Sequence, residues 1–226
     1  MASAKELAAQ LRHELQPVER RLFSHPWIAA AEQGGLQAAD LVIFAAHQER
    51  IIQSDLRSVA LLVHRYAGTP SGAFFLEGLK TEAAALEALA AFARRAGAGP
   101  ERLAAVTPVA GALAYTHFLA WLAAYGSDAE FAAAFLVNLP AWGANCGRLS
   151  RAFQARYRMA AGDVAFFELF ARESPGFDTA ALAVIQAGLD RGVPEPAIRH
   201  AALLLQQYEL MYWDGLQAAR AEAPSG

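Results

Sequence analysis

One acidic residue in the C-terminal part of the chain lies in a strongly apolar setting. Glu209 has Leu, Tyr, Met and Trp as neighbours in the segment LLLQQYELMYW. A carboxyl group in such surroundings loses the hydration that favours its charged form, so its pKa rises. Enzymes use this effect to make a general acid or base that works near neutral pH. Glu209 is therefore a candidate catalytic residue; a carboxylate that faces water or pairs with an Arg is the alternative.

Other polar residues share this pattern of apolar helical surroundings. Tyr115 lies inside a long uncharged block, and Gln48 follows an apolar stretch over residues 41–46. Asn138 and Trp142 lie four residues apart in FLVNLPAWGANCGRL. These residues are the further candidates for a functional site.

Common motifs for other chemistry do not occur. The sequence has no GxGxxG after a strand, no Walker loop and no HExxH. It also lacks the Glu-x-x-His pairs that di-iron sites on facing helices need. Its six His residues are isolated from one another, and a single Cys excludes a disulfide framework and a multi-cysteine metal site. We therefore expect neither a metal nor an organic cofactor.

Helices must position the candidate residues, because no segment shows the alternation of a strand. Breaks rich in Gly, Pro, Ser and Asp divide the chain into helical blocks. The breaks fall at Glu32–Gly35, Gly68–Gly72, Gly97–Pro100, Gly126–Asp128, Ser174–Asp178 and Arg191–Pro196. They predict seven or eight helices of about 10 to 28 residues in one all-α domain over residues 1–221, with 222–226 as a disordered tail.

Two local patterns add detail to this scheme. The block 74–96 is the most clearly amphipathic, and we assign Leu79 to its apolar face and Glu82 to the opposite, polar face. Helix starts are predicted at Ser127-Asp128, at Asp178, and at the pair Pro194 and Pro196.

One uncharged block is long enough to test as a membrane span. Residues 103–127 carry no Asp, Glu, Lys or Arg. Thr107-Pro108 and Gly111 interrupt the block, so a buried helix of a globular core explains it better. The net charge of −3 gives no basic surface for nucleic acid. With no apolar leader segment at the start of the sequence, we expect a soluble, cytoplasmic protein.

Four segments, taken in order, resemble the TenA/thiaminase II family. They are SHPWIAAAEQGGLQAADLVIFAAHQE, PVAGALAYTHFLAWLAAYGSDAEF, AFLVNLPAWG and YELMYWDGL. The resemblance covers most of the chain and implies a single-domain, haem-oxygenase-like helical bundle with a central pocket.

The resemblance carries family site residues onto this sequence with two changes. The late carboxylate of the family falls on Glu209, and its pocket tyrosine falls on Tyr115. The aspartate that grips the aminopyrimidine falls on Gln48; Glu49 is a one-residue alternative, but on a helix it would point about 100° away. The nucleophilic cysteine falls near Asn138. Cys146 lies eight residues further on, roughly 12 Å along a helix, so it cannot take that place.

Such a chain is similar to the Cys-less branch of the family, because an Asn amide cannot add covalently to a substrate. The resemblance then implies hydrolysis of a C–N bond in an aminopyrimidine from thiamine breakdown. Glu209 would transfer the proton, Tyr115 would orient the ligand, and Gln48 would pair with the heterocycle. Trp142 and Phe166 would be flat walls for stacking, or core residues alone. The family also implies a homodimer or homotetramer.

Two other functions stay open. Loss of the family Asp and Cys is also compatible with a non-catalytic relative that binds a small molecule or regulates. An oxidase of the same fold, PqqC-like or metal-dependent, is the third function. The missing Glu-x-x-His pattern argues against its di-iron form, and Phe170 stands where such oxidases are expected to have His.

Overall fold

The protein is a bundle of α-helices. The computed structural model describes residues 3–172 and 174–222, and every regular element within them is helical. The helices are α1 (Ala4–Phe23), α2 (Pro26–Glu32), α3 (Ala38–Arg65), α4 (Pro70–Arg95), α5 (Pro100–Ala104), α6 (Ala110–Tyr125), α7 (Asp128–Tyr157), α8 (Ala165–Ala171), α9 (Phe177–Asp190) and α10 (Glu195–Glu222). The seven helices of 14 residues or more account for the predicted number, and α2, α5 and α8 are additional short ones. Residues 223–226 of the predicted tail lie outside the described part.

Capping groups explain where several helices start. Ser127 Oγ accepts a hydrogen bond from the Glu130 backbone N–H, and the Glu130 carboxylate accepts one from the Ser127 N–H. This capping box begins α7 at the predicted place. Pro196 lies in the first turn of α10, where its missing N–H removes no helical hydrogen bond. α9 begins at Phe177, one residue before the predicted Asp178.

The uncharged block 103–127 does not form the single buried helix that we predicted. α5 ends at Ala104 and α6 begins at Ala110, because Pro108 lacks an amide hydrogen and disfavours helical geometry in the residue before it. α6 packs mainly on α3 and α10, and its outer face leaves Trp121 52% and Tyr125 78% exposed. None of the described helices combines the length and apolarity that crossing a membrane requires.

A cluster of aromatic side chains holds the central helices together. Phe44 of α3 is fully buried, with ring centroids 5.4–6.3 Å from those of Trp27, Phe92, Phe167 and Trp213. Such ring pairs add to the free energy gained by burying their area. The cluster fixes α10 against α3 and thereby positions the turn of α10 that carries the candidate acid.

A glycine lets α8 approach α7 closely. A Cβ atom on Gly143 would lie only 2.6 Å from the carbonyl oxygen of Phe170. The Ser150 hydroxyl also donates a hydrogen bond to the Glu168 carboxylate across the same pair of helices. α8 therefore sits deep enough against α7 to contribute to the central cavity.

Replacing Gly143 with Ala is expected to destabilise the fold. The new methyl group would meet a backbone carbonyl, which cannot rotate away, so α8 must shift at a cost of about 1–3 kcal/mol. Gly147→Ala is the matched control, because its Cβ would make ordinary contacts at 3.5 Å and Ala favours a helix over Gly. Urea denaturation should give a lower midpoint for Gly143→Ala only. An equal or higher midpoint for that variant would contradict the close approach.

Candidate functional site

A small cavity lies between α3, α4, α6, α7, α8 and α10. Its volume is about 50 Å³, enough for a few water molecules. Its polar lining residues are Gln48, Asp55, Glu82, Tyr115, Asn138, Glu209 and Tyr212. Its apolar lining residues are Ile51, Ile52, Phe135, Leu139, Trp142 and Phe170. Polar groups on the apolar walls of a recess are typical of a small-molecule site.

A larger depression, of about 440 Å³, lies at the surface between α1 and α7. Of its ionisable lining residues, Arg12 and His13 are exposed to solvent and Glu19 is half-buried. Because water screens such groups, the central cavity is the better place for proton transfer.

Three side chains form a hydrogen-bonded chain at the cavity. The Tyr115 hydroxyl donates to Asn138 Oδ1 at 3.0 Å, and Asn138 Nδ2 donates to Glu209 Oε2 at 2.6 Å. Trp213 Nε1 donates to the other carboxyl oxygen, Oε1, at 3.3 Å. Glu209 is 2% exposed. Tyr115 and Glu209 thus lie at the same cavity, and Asn138 connects them.

Burial sets the protonation state of this chain. It raises the pKa of Glu209 to about 8, although the hydrogen bonds from Trp213 and Asn138 oppose the rise. Near pH 7 the carboxyl group is therefore mainly protonated and can act as a general acid. Burial and the nearby carboxylates also hold the pKa of Tyr115 well above its usual value, so its hydroxyl keeps its proton.

The position of the Asn138 amide is fixed by its partners. Nδ2 also donates to Gln206 Oε1 at 3.2 Å, so both amide hydrogens and Oδ1 are engaged. Asn138 lines the cavity, and its amide connects α6, α7 and α10.

The other predicted binding residues divide into two groups. Gln48, which is 4% exposed, and the half-buried Trp142 both line the cavity. Phe166 does not, because its fully buried ring packs in the aromatic core, with centroids 6.3 Å from that of Phe44 and 5.3 Å from that of Phe170. The wall that we assigned to Phe166 is formed by Phe170, one helical turn later on α8.

Three polar residues of the cavity lining were not among the predicted site residues. Asp55 lies seven residues after Gln48, two turns along α3 and on the same face, a spacing that could have revealed it. Glu82 follows Leu79 by three residues and therefore shares its face. Our assignment of Glu82 to the opposite face of α4 was wrong. Tyr212 lies three residues after Glu209 and lines the same cavity.

Asp55 and Glu82 make one part of the cavity acidic. Burial raises the pKa of Asp55 to about 7, against a hydrogen bond from the Thr116 hydroxyl. Burial and the neighbouring Asp55 raise the pKa of Glu82 well above its ordinary value. Among the described residues that line the cavity there is no Lys, Arg or His.

The thiol and imidazole groups lie elsewhere. Cys146 is fully buried outside the cavity lining, and burial, followed by Glu209, raises the pKa of its thiol, so it does not supply a thiolate. His25 Nδ1 accepts from the Trp27 N–H, and His47 Nε2 accepts from the Val109 N–H. Within residues 3–172 and 174–222, no three His, Cys, Asp or Glu side chains are grouped as metal ligands.

Several solved structures share the fold of this chain. Solved structures described as TenA homologues, from P. horikoshii OT3 and Pseudomonas syringae, share 15% and 14% sequence identity with it, at TM-scores of 0.74 and 0.77. The alignments cover 94% of this chain and 98% of the first protein, and 96% of both chains for the second. A structure from Silicibacter sp. described as a TenA family transcription regulator is 17% identical, at a TM-score of 0.71, over 93% of this chain and 96% of that one.

These likenesses confirm the predicted all-α TenA-type bundle. No match is found among curated proteins. A sequence model of the TENA/THI-4/PQQC family matches residues 12–217. The chain therefore belongs to the TENA/THI-4/PQQC family.

Proposed function

We propose that the protein hydrolyses a C–N bond of an aminopyrimidine-like compound from thiamine breakdown. The observation that carries this proposal is the buried, largely protonated Glu209, held in a cavity by Asn138 and Trp213. A carboxyl group with a pKa near the working pH is suited to giving and retaking a proton.

Proton transfer through Glu209 balances the reaction. The neutral carboxyl group gives its proton to the nitrogen that leaves as the C–N bond breaks. Water then forms the new C–O bond, and its released proton returns to the Glu209 carboxylate. Tyr115 acts through Asn138, because its hydroxyl orients the amide that donates to Oε2. No thiolate is required for these steps.

The walls of the cavity suit a flat, polar ring. The Gln48 amide offers a donor and an acceptor to the edge of a heterocycle, and the Trp142 indole offers a face for stacking. A ring fills more than the present 50 Å³. Half-buried side chains, among them Trp142 and Phe170, form part of the lining and must move to admit it.

Incubation of the protein with an aminopyrimidine and a formylaminopyrimidine tests the proposal. We expect release of ammonia or formate with formation of the hydrolysed product, detected by mass spectrometry. Absence of turnover on both compounds at pH 7 would contradict the proposed hydrolase.

One observation favours a non-catalytic binding protein as the second candidate. The family resemblance puts the nucleophile near Asn138, and the Asn138 amide is used in hydrogen bonds to three neighbouring side chains. A protein that keeps only the pocket would bind the same compounds without changing them. Calorimetry that shows tight binding while the compound is recovered intact would favour this candidate.

The homodimer or homotetramer implied by the family stays a prediction.

A further inference from the structure

The two carboxyl groups in the acidic part of the cavity have no cationic side chain beside them in the cavity lining. Asp55 of α3 is 3% exposed, and the Asp55 carboxyl accepts one hydrogen bond within the described residues, from Thr116. Glu82 of α4 lies close enough for the Asp55 charge to raise its pKa. Buried carboxylates are normally paired with a cation or bound by several donors. This pair has neither among the described side chains that line the cavity.

A second polar group in the same cavity is also without a partner. Tyr212 is 2% exposed, and its buried hydroxyl makes no hydrogen bond within the described structure. The Gln48 side chain is close enough to influence its pKa, yet the two groups do not reach the geometry of a hydrogen bond. A buried hydroxyl left unbonded costs about 1–3 kcal/mol. A ligand that reaches this hydroxyl would remove that cost.

The two places are separated along one helix. Gln48, beside Tyr212, and Asp55 lie seven residues apart on α3, a rise of about 10 Å. Ile51 and Ile52 line the wall between them. The cavity therefore offers hydrogen bonding near Gln48, an apolar middle and two acids near Asp55.

From this arrangement we propose that Asp55 and Glu82 bind a protonated amine of the ligand, whose apolar or aromatic body lies along Ile51 and Ile52. An ammonium group would supply the missing partner, because its charged N–H donors favour the ionised form of the two carboxyl groups, whose pKa values are raised in the cavity. A divalent cation fits less well, because the neighbouring walls carry side-chain hydrocarbon instead of further oxygen ligands. The inference rests on the cavity of the proposed function being a ligand site, and it names the charge of that ligand.

A pair of matched probes tests the charge preference. 3-Phenylpropylamine carries a cationic nitrogen at the end of an apolar body, and 3-phenylpropan-1-ol is its neutral counterpart. Calorimetry at pH 7 on the full chain should show the amine binding about tenfold or more tightly than the alcohol. Equal affinities, or binding of neither probe, would overturn the proposal.

Variants test whether Asp55 and Glu82 cause the preference for the amine over the alcohol. In Asp55→Asn and Glu82→Gln, which keep side-chain size, we expect the amine preference to fall to about threefold or less, with the alcohol affinity little changed. Glu87→Gln on α4 removes an exposed carboxylate and should leave the preference intact. If Asp55→Asn does not fold, Glu82→Gln at its half-buried position still decides. A preference that persists in a folded Glu82→Gln variant, or displacement of the amine by millimolar Ca²⁺ or Mg²⁺, would count against the proposal.

The binding test and the turnover test can fail separately. An amine preference without turnover of any pyrimidine leaves the cation site in place and removes the proposed hydrolase. Turnover without an amine preference removes the cation site and keeps the hydrolase.

Discussion

Glu209→Gln is expected to lower kcat on an aminopyrimidine substrate by about 10²–10⁴-fold, the range that general acid–base catalysis contributes. The amide keeps the size of the side chain and an oxygen that can accept a hydrogen bond from Asn138 or Trp213. It has no proton to give at neutral pH, so the departing nitrogen must leave unprotonated. Steady-state kinetics on the wild type and the variant measure the loss. KM should change much less than kcat, because the geometry of the cavity is retained.

The pH dependence of the same reaction gives a second readout. Because the pKa of Glu209 is about 8, the protonated acid that the reaction uses declines as the pH rises through 8. We expect kcat to fall above that pH in the wild type. Glu87→Gln, which removes an exposed carboxylate, should show the wild-type rate and profile. A Glu209→Gln variant as active as the wild type would exclude Glu209 as the acid.

The sequence predicts the burial of Glu209 well because the relevant signal is local. Its apolar neighbours lie within one or two turns of the same helix, so burial of the carboxyl group follows from periodicity. The bridge through Asn138 is different, since it depends on how α6 and α7 are placed against α10. No spacing within one helix determines that placement, and only the folded structure shows that Tyr115 reaches Glu209 through an amide.

The residues that the sequence analysis missed or misplaced also divide into those with a signal within one helix and those set by contacts between helices. Glu82 could have been found from its spacing to Leu79, because both lie on the face of α4 that packs inward. That Phe170 and not Phe166 lines the cavity could not have been predicted. Which turn of α8 reaches the cavity depends on the close approach of Phe170 to Gly143. A short helix without a regular apolar pattern gives no indication of that approach.

The buried acids should also make the stability of the protein depend on pH. Glu209 ionises near its ordinary pKa of 4.5 in the unfolded chain and near 8 in the folded one. Below about pH 4.5 both states hold the proton, and the full stability is present. As the pH rises, the unfolded chain releases its proton first, so unfolding becomes easier until the folded carboxyl group also ionises near pH 8. At about 1.4 kcal/mol per pH unit, Glu209 alone accounts for a loss of up to about 5 kcal/mol. Asp55 and Glu82 act in the same direction, because their pKa values are also raised.

Glu209→Gln should therefore be less stable than the wild type at pH 5 and more stable at pH 9. At pH 5 the variant has an NH₂ group where the wild type has a carboxyl oxygen, which leaves Asn138 or Trp213 without an acceptor and costs about 1–3 kcal/mol. At pH 9 the wild type must bury a charge that the amide does not carry. Urea denaturation at both pH values measures the crossing, with Glu87→Gln expected to parallel the wild type. Curves for Glu209→Gln and the wild type that stay parallel would mean that Glu209 is already ionised at neutral pH, and its role as an acid would be lost with the pH effect. Suppose that the order of stability reverses between pH 5 and pH 9 and that kcat is lost in Glu209→Gln. The buried Glu209 then lowers the stability of the protein at neutral pH while it supplies the proton that the reaction needs.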